Sequence, residues 1–118
     1  MENINDDIAI ENRLFMMFKG INLYDKKVLD VGFGLGYNAA EMRFLGAEVY
    51  GVEPDEEAYA YAISNGLIDA DKAMNCTLQE IPEEFLGTFD IVTIFLYDIP
   101  RSETQEVLVM ISKALKND

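Results

Sequence analysis

Val28-Leu29-Asp30-Val31-Gly32-Phe33-Gly34-Leu35-Gly36 is the stretch that decides how this 118-residue chain reads. An apolar strand runs into three glycines at alternate positions, with one carboxylate, Asp30, two residues ahead of the first. Glycine lacks a Cβ, so its backbone turns tightly and presses against a ligand. A helix that starts behind such a turn points its unpaired N–H groups and positive dipole end at whatever sits there. The pattern is that of a nucleotide-cofactor site, and Asp30 bears on which cofactor enters it.

Working outward, strands and helices alternate. Asp6 to about Lys19 carries Ile8, Ile10, Leu14, Phe15, Met17 and Phe18 on one helical face, ended by Gly20. Behind the glycines, residues 37–45 predict a helix closed by Gly46, and residues 48–53 a second strand. Asp55 is placed to cap a helix over residues 56–64, with Glu56 and Glu57 where the dipole favours negative charge. Residues 73–77 form a weak third strand, and the apolar run 89–97 a fourth, covered on both faces. Ser102 and Gln105 have capping-box spacing before a helix bearing Val107, Leu108, Ile111, Ala114 and Leu115. Short connections between alternating elements mean right-handed βαβ units on a parallel sheet, a Rossmann-like α/β domain. The whole chain, 1–118, reads as one domain, with an N-terminal helix over 1–20 and the core over 27–118.

Composition narrows the partners. Half the residues are apolar, which suits a folded globule. The chain lacks an apolar run of about 20 residues, the length of a membrane span, and its acidic N-terminus is unlike a signal peptide, so a reducing cytoplasm is the default. Twenty-two acidic against nine basic side chains give a net charge of −13. Nucleic acid is disfavoured, because its binding needs a Lys/Arg patch and the basic residues here are scattered. A small or cationic substrate or a basic partner suits the field, and so does a simple solubility role for the charge. One cysteine, Cys76, and no histidine argue against a metal site and leave Asp, Glu, Tyr, Lys or that cysteine as general base.

Two ligand classes compete for the turn. The dinucleotide fingerprint Gly-x-Gly-x-x-Gly would need glycine at position 37, which is Tyr37; here the run is Gly-x-Gly-x-Gly. Charge agrees, since Asp30 would repel a pyrophosphate but attract an ammonium and a sulfonium. S-adenosylmethionine carries both, and a carboxylate besides.

The same stretch closely resembles motif I of the class I S-adenosylmethionine-dependent methyltransferases. Gly51-Val52-Glu53-Pro54-Asp55 resembles that family's second motif, Thr77 to Pro82 its adenine-contacting turn, and Phe89-Asp90-Ile91-Val92 its fourth-strand motif. The resemblance covers about Lys27 to the last residue. It implies a three-layer α/β/α fold with strand order 3-2-1-4, the C-terminal half of the family's seven-stranded sheet being missing. It also implies roles. Asp30 would hold the methionine ammonium, and Gly32, Phe33, Gly34 and Gly36 would form the turn under methionine and ribose. Glu53 would accept the ribose hydroxyls, Pro54 would pack on the adenine, and Thr77 and Leu78 would frame its edge. Phe95 and Leu96 would lie beside the reactive methyl. Many family members have aspartate where Thr77 stands, and Tyr97-Asp98 replaces the Glu-His that follows strand four in many small-molecule methyltransferases. The amino-group DNA methylase motif is absent.

Each assignment has a plainer rival. Tyr97 and Asp98 are the acid–base pair where open α/β sheets bind ligands, or equally a packed tyrosine and a turn residue. Tyr59, Tyr61 and Cys76 read as packing, and Phe15 to Phe18 as core or interface. Strand four would be a long apolar edge, so a homo-oligomer or partner subunit is expected through it or the terminal helices. The expected function is methyl transfer to a small-molecule or protein acceptor, yielding S-adenosylhomocysteine. The alternatives are a non-catalytic cofactor-binding module that needs a partner chain, or other chemistry on the same cofactor.

Overall fold

A computed structural model describes residues 22–94 and 104–116. Within them lie β1 (Lys27–Val31), α1 (Tyr37–Phe44), β2 (Glu48–Val52), α2 (Glu56–Ser64), β3 (Ala73–Met74), β4 (Ile91–Ile94) and α3 (Thr104–Ala114). All strands are parallel, in the order β3-β2-β1-β4. This is the Rossmann-like order expected from the sequence. The register sets Asp30 between Gly51 on β2 and Thr93 on β4. Three residues from three distant parts of the chain thus meet near the C-terminal end of the sheet, and the side chains of Asp30 and Thr93 touch.

Alternation along each strand sends successive side chains to opposite faces. On one face Val28, Val49 and Ala73 pack with Phe33, Ala39 and Met42 from the turn and α1, and with Ala62 from α2. On the other, Leu29, Val52 and Phe89 pack with Leu78, Ile81 and Ala114, the last from α3. Helices on both sides make the three layers. Asp55 caps α2, its Oδ1 accepting from the Glu57 amide at 3.2 Å. Asp90 pins the start of the sheet. Its carboxylate accepts from the Lys27 amide and from Lys116 Nζ, each at 2.8 Å, and the Lys116 contact is the main cause holding its carboxyl below the usual range.

Boundaries differ from expectation where side chains intervene. The third strand stops at Met74 rather than residue 77. The side chain of Asn75 turns to the carbonyls of Glu53 and Pro54, and Glu80 accepts from the amide of Thr77 to start a short 3-10 turn. The fourth strand begins at Ile91 rather than residue 89. Phe89 instead pairs with the end of α3, bridging to Leu115. The N-terminal helix expected over 6–19, the 95–97 part of the fourth strand and the Ser102 cap lie outside the described residues. Among the described residues no helix is long and apolar enough to cross a membrane.

Candidate functional site

Asp30 sits inside the sheet with no exposure, and Thr93 beside it is 7% exposed. Thr93 Oγ1 donates to Asp30 Oδ1 at 3.0 Å. The other oxygen, Oδ2, is buried without a hydrogen-bond partner. Burial pushes the Asp30 carboxyl up to about 7; the Thr93 hydrogen bond opposes this and the charge of Glu53 adds to it. An unpaired buried acceptor costs about 1–3 kcal/mol, more if charged. Nothing in packing explains keeping a carboxylate here, whereas a cation or donor arriving from the turn would satisfy it.

The turn between β1 and α1 supplies shape. Gly32, Gly34 and Gly36 all have positive φ, at 71°, 59° and 96°. A Cβ on Gly32 or Gly34 would meet nothing within 4 Å, so that surface borders open space. A Cβ on Gly36 would lie 2.9 Å from Ala62 Cβ and 3.0 Å from Leu67 Cβ, because α1 and α2 close there. The Phe33 side chain turns inward. It is buried in the core, and a Cβ on Gly51 would lie 2.5 Å from its ring.

Four of the five amides of this turn, residues 32–36, are already engaged. Those of Gly32 and Phe33 donate to the Val52 carbonyl, and that of Gly36 to Phe33. The amide of Gly34 donates to Glu53 Oε1 at 2.7 Å, while Glu53 Oε2 accepts from Asp55 at 2.9 Å. Glu53, 8% exposed, thereby ties the end of β2 to the glycine turn. A phosphate-binding loop needs free N–H groups to cradle an anion. Here four of them serve the protein itself, that of Gly34 by donating to a carboxylate, so the turn suits a ligand that brings donors and positive charge. Each Glu53 oxygen keeps a second lone pair, one for each of two hydroxyls.

Pro54 is exposed beside Glu53, and Leu78 is buried at the head of the neighbouring turn. The Thr77 hydroxyl donates to Glu80 Oε1 at 2.9 Å, so it is committed to that turn. A shallow cleft lined by Gln79, Gln105, Glu106, Val109 and Met110 separates the turn from α3. Phe95, Leu96, Tyr97 and Asp98 lie outside the described residues. Tyr59 packs against the core and Cys76 is half-buried, its thiol pushed up by burial. Tyr61 is exposed, its hydroxyl meeting that of Tyr37. Thr93, Gly51 and Asn75 were not singled out from the sequence. The first two matter through cross-strand register, and Asn75 through a side-chain bond to residues 21 and 22 positions away.

Residues 28–118 match the methyltransferase domain family. The chain belongs to that family. The turn, Asp30 and Glu53 all fall inside the matched methyltransferase domain. The chain is 35% identical over 81 residues to the ubiquinone biosynthesis O-methyltransferase of Vibrio parahaemolyticus, a match covering 67% of this chain and 34% of that protein. Its fold is similar to magnesium protoporphyrin IX methyltransferase from Synechocystis, crystallised with S-adenosylmethionine, with TM-score 0.72 and 19% identity over 95% of this chain and 55% of that one. A protein of Pyrococcus horikoshii superposes with TM-score 0.74 and 20% identity, over 98% of this chain and 51% of that one. The chain therefore spans about a third of the curated relative and about half of these structures. The cofactor of the S-adenosylmethionine-dependent methyltransferases is the one whose charge pattern Asp30 called for.

Proposed function

We propose that this chain binds S-adenosylmethionine at the Asp30–Glu53 end of the sheet and serves methyl transfer to a small-molecule or protein acceptor. The observation that carries the reading is the unpartnered Oδ2 of the fully buried Asp30 carboxyl, beside a glycine turn whose Gly32, Phe33, Gly34 and Gly36 amides are spent. When bound, the cofactor supplies an electrophilic methyl on a sulfonium, which passes to an acceptor's lone pair and leaves S-adenosylhomocysteine. Asp30 would take the ammonium, Glu53 the ribose hydroxyls, and Pro54 and Leu78 the adenine. The open faces of Gly32 and Gly34 would let the ligand lie against the backbone. The chain's contribution to rate is then mainly positioning, which is worth several kcal/mol of barrier in such displacements. Tyr97 and Asp98, just past β4, are the candidates for taking the acceptor's proton.

We also propose that a second copy of the chain covers β4. Among the described strands β4 is an edge, and its apolar Ile91, Val92 and Ile94 are only half-buried. Such an edge invites pairing.

Calorimetry with S-adenosylmethionine, S-adenosylhomocysteine and NAD tests the cofactor reading. Both adenosyl ligands should bind and NAD should not. Asp30→Ala should weaken binding more than about tenfold, the scale of one charged hydrogen bond. An unchanged dissociation constant would remove Asp30 from the site.

A further inference from the structure

We propose that Thr93 is a positioning residue for the cofactor site: its hydroxyl holds Asp30 Oδ1 so that Oδ2 alone is presented to the ligand's ammonium. The inference rests on the cofactor reading above and adds to it a residue on β4 that no sequence motif marks.

The parallel register makes Thr93 the direct cross-strand neighbour of Asp30, with both side chains on one face of the sheet. Both are buried, and Thr93 Oγ1 lies 3.0 Å from Asp30 Oδ1 but 3.5 Å from the carbonyl of Leu29. A hydroxyl has one proton to donate and two lone pairs that accept. Facing ionised Asp30, Thr93 donates to Oδ1. Facing the protonated acid, it can accept from that oxygen and turn its own proton to Leu29. Threonine therefore satisfies the inner oxygen in either state, and the unsatisfied valence is always on Oδ2. A carboxyl without such an anchor could rotate about its Cβ–Cγ bond and offer either oxygen, and ordering it would cost binding energy. The hydrogen bond also favours the ionised form, the one that attracts an ammonium.

The ionisable surroundings of Asp30 are simple among the described residues. The glycine turn, residues 32–36, carries no titratable group. Glu53 at the end of β2 is the charge that acts on Asp30, and it raises the carboxyl. From β4 the contact is the Thr93 hydroxyl.

The test compares wild type, Thr93→Val and Thr93→Ser. Valine keeps the shape of threonine without the donor; serine keeps the hydroxyl. Binding of S-adenosylmethionine and S-adenosylhomocysteine is measured by calorimetry from pH 5.5 to 8.5, and the Asp30 carboxyl is titrated by carbon NMR without ligand. Wild-type affinity should rise with pH as Asp30 ionises near 7, then fall as the ligand's own ammonium deprotonates. Thr93→Val should bind about tenfold or more weakly at pH 7, the scale of a hydrogen bond to a charged group. Its rising limb and its Asp30 titration should both move to higher pH by about one unit. Thr93→Ser should restore both. If valine leaves the affinity, the limb and the titration where they were, the inference is wrong. Should Thr93→Val fail to fold, Thr93→Ala gives the same three readouts. A wild type that binds neither ligand overturns the cofactor reading and this inference with it. The NMR titration then still shows separately whether Thr93 governs Asp30.

Discussion

At the scale of one residue, burying Asp30 costs stability, and the proposed cofactor binding is what would offset it. Its carboxyl is pushed from the ordinary 3.8 to about 7, first by burial. An acid whose folded pKa is raised costs nothing below its unfolded value. The penalty grows as pH climbs from there and is complete above the folded value. The window here runs from about 4 to about 7. Asp30→Asn keeps the acceptor for Thr93 and removes the charge. Urea denaturation should find it no more stable than wild type near pH 4, and more stable by a few kcal/mol above pH 7. Cofactor affinity should fall at the same time. Equal stability of the two proteins at pH 8 would mean that Asp30 is not buried as a charge. Asp30 was legible because a lone carboxylate in an apolar strand is conspicuous. Its partner Thr93 was not, since which residue of β4 lies opposite depends on a register that local sequence does not encode.

At the scale of the element, the β1–α1 turn is held from both sides. Glu53 clasps the Gly34 amide from β2, and α2 closes against Gly36. The glycine spacing and the distance to Glu53 made this turn readable, while its use of amides was not. The structure spends the amides of Gly32, Phe33, Gly34 and Gly36 internally, ahead of the helix that starts at Tyr37. The weak third strand was overcalled for a related reason: Asn75 and Glu80 form side-chain bonds that compete with strand pairing. Gly36 is where this element is least tolerant. Alanine there faces a φ of 96° and the Cβ atoms of Ala62 and Leu67 at 2.9 and 3.0 Å. Strain and overpacking together should cost about 2–4 kcal/mol. A thermal melt should then fall by about 10 °C or more. A Gly36→Ala variant with the wild-type midpoint would show that α1 and α2 do not meet at this carbon.

For the whole molecule, the parallel sheet was legible because strands and helices alternate across short connections, while the strand order came from the resemblance to the methyltransferase family. The proposed pairing of β4, an edge among the described strands, would be set by the balance between two large-scale terms. The half-buried Ile91, Val92 and Ile94 of β4 favour pairing with a second copy. The net charge of −13 on each copy opposes it. Repulsion between exposed charges is screened over about 10 Å at 0.1 M salt and about 3 Å at 1 M, whereas apolar burial is not weakened by salt. If β4 is the contact, self-association must therefore strengthen as salt is added. Sedimentation velocity over a concentration series in 0.02 and 0.5 M sodium chloride should show a dimer fraction that rises with both concentration and salt. Ile94→Lys, which places a charge on the half-buried edge, should lower that fraction at either salt. An interface built on ion pairs would weaken instead of strengthening at 0.5 M. A chain that stays monomeric at several hundred micromolar in high salt would mean that β4 does not recruit a copy of itself.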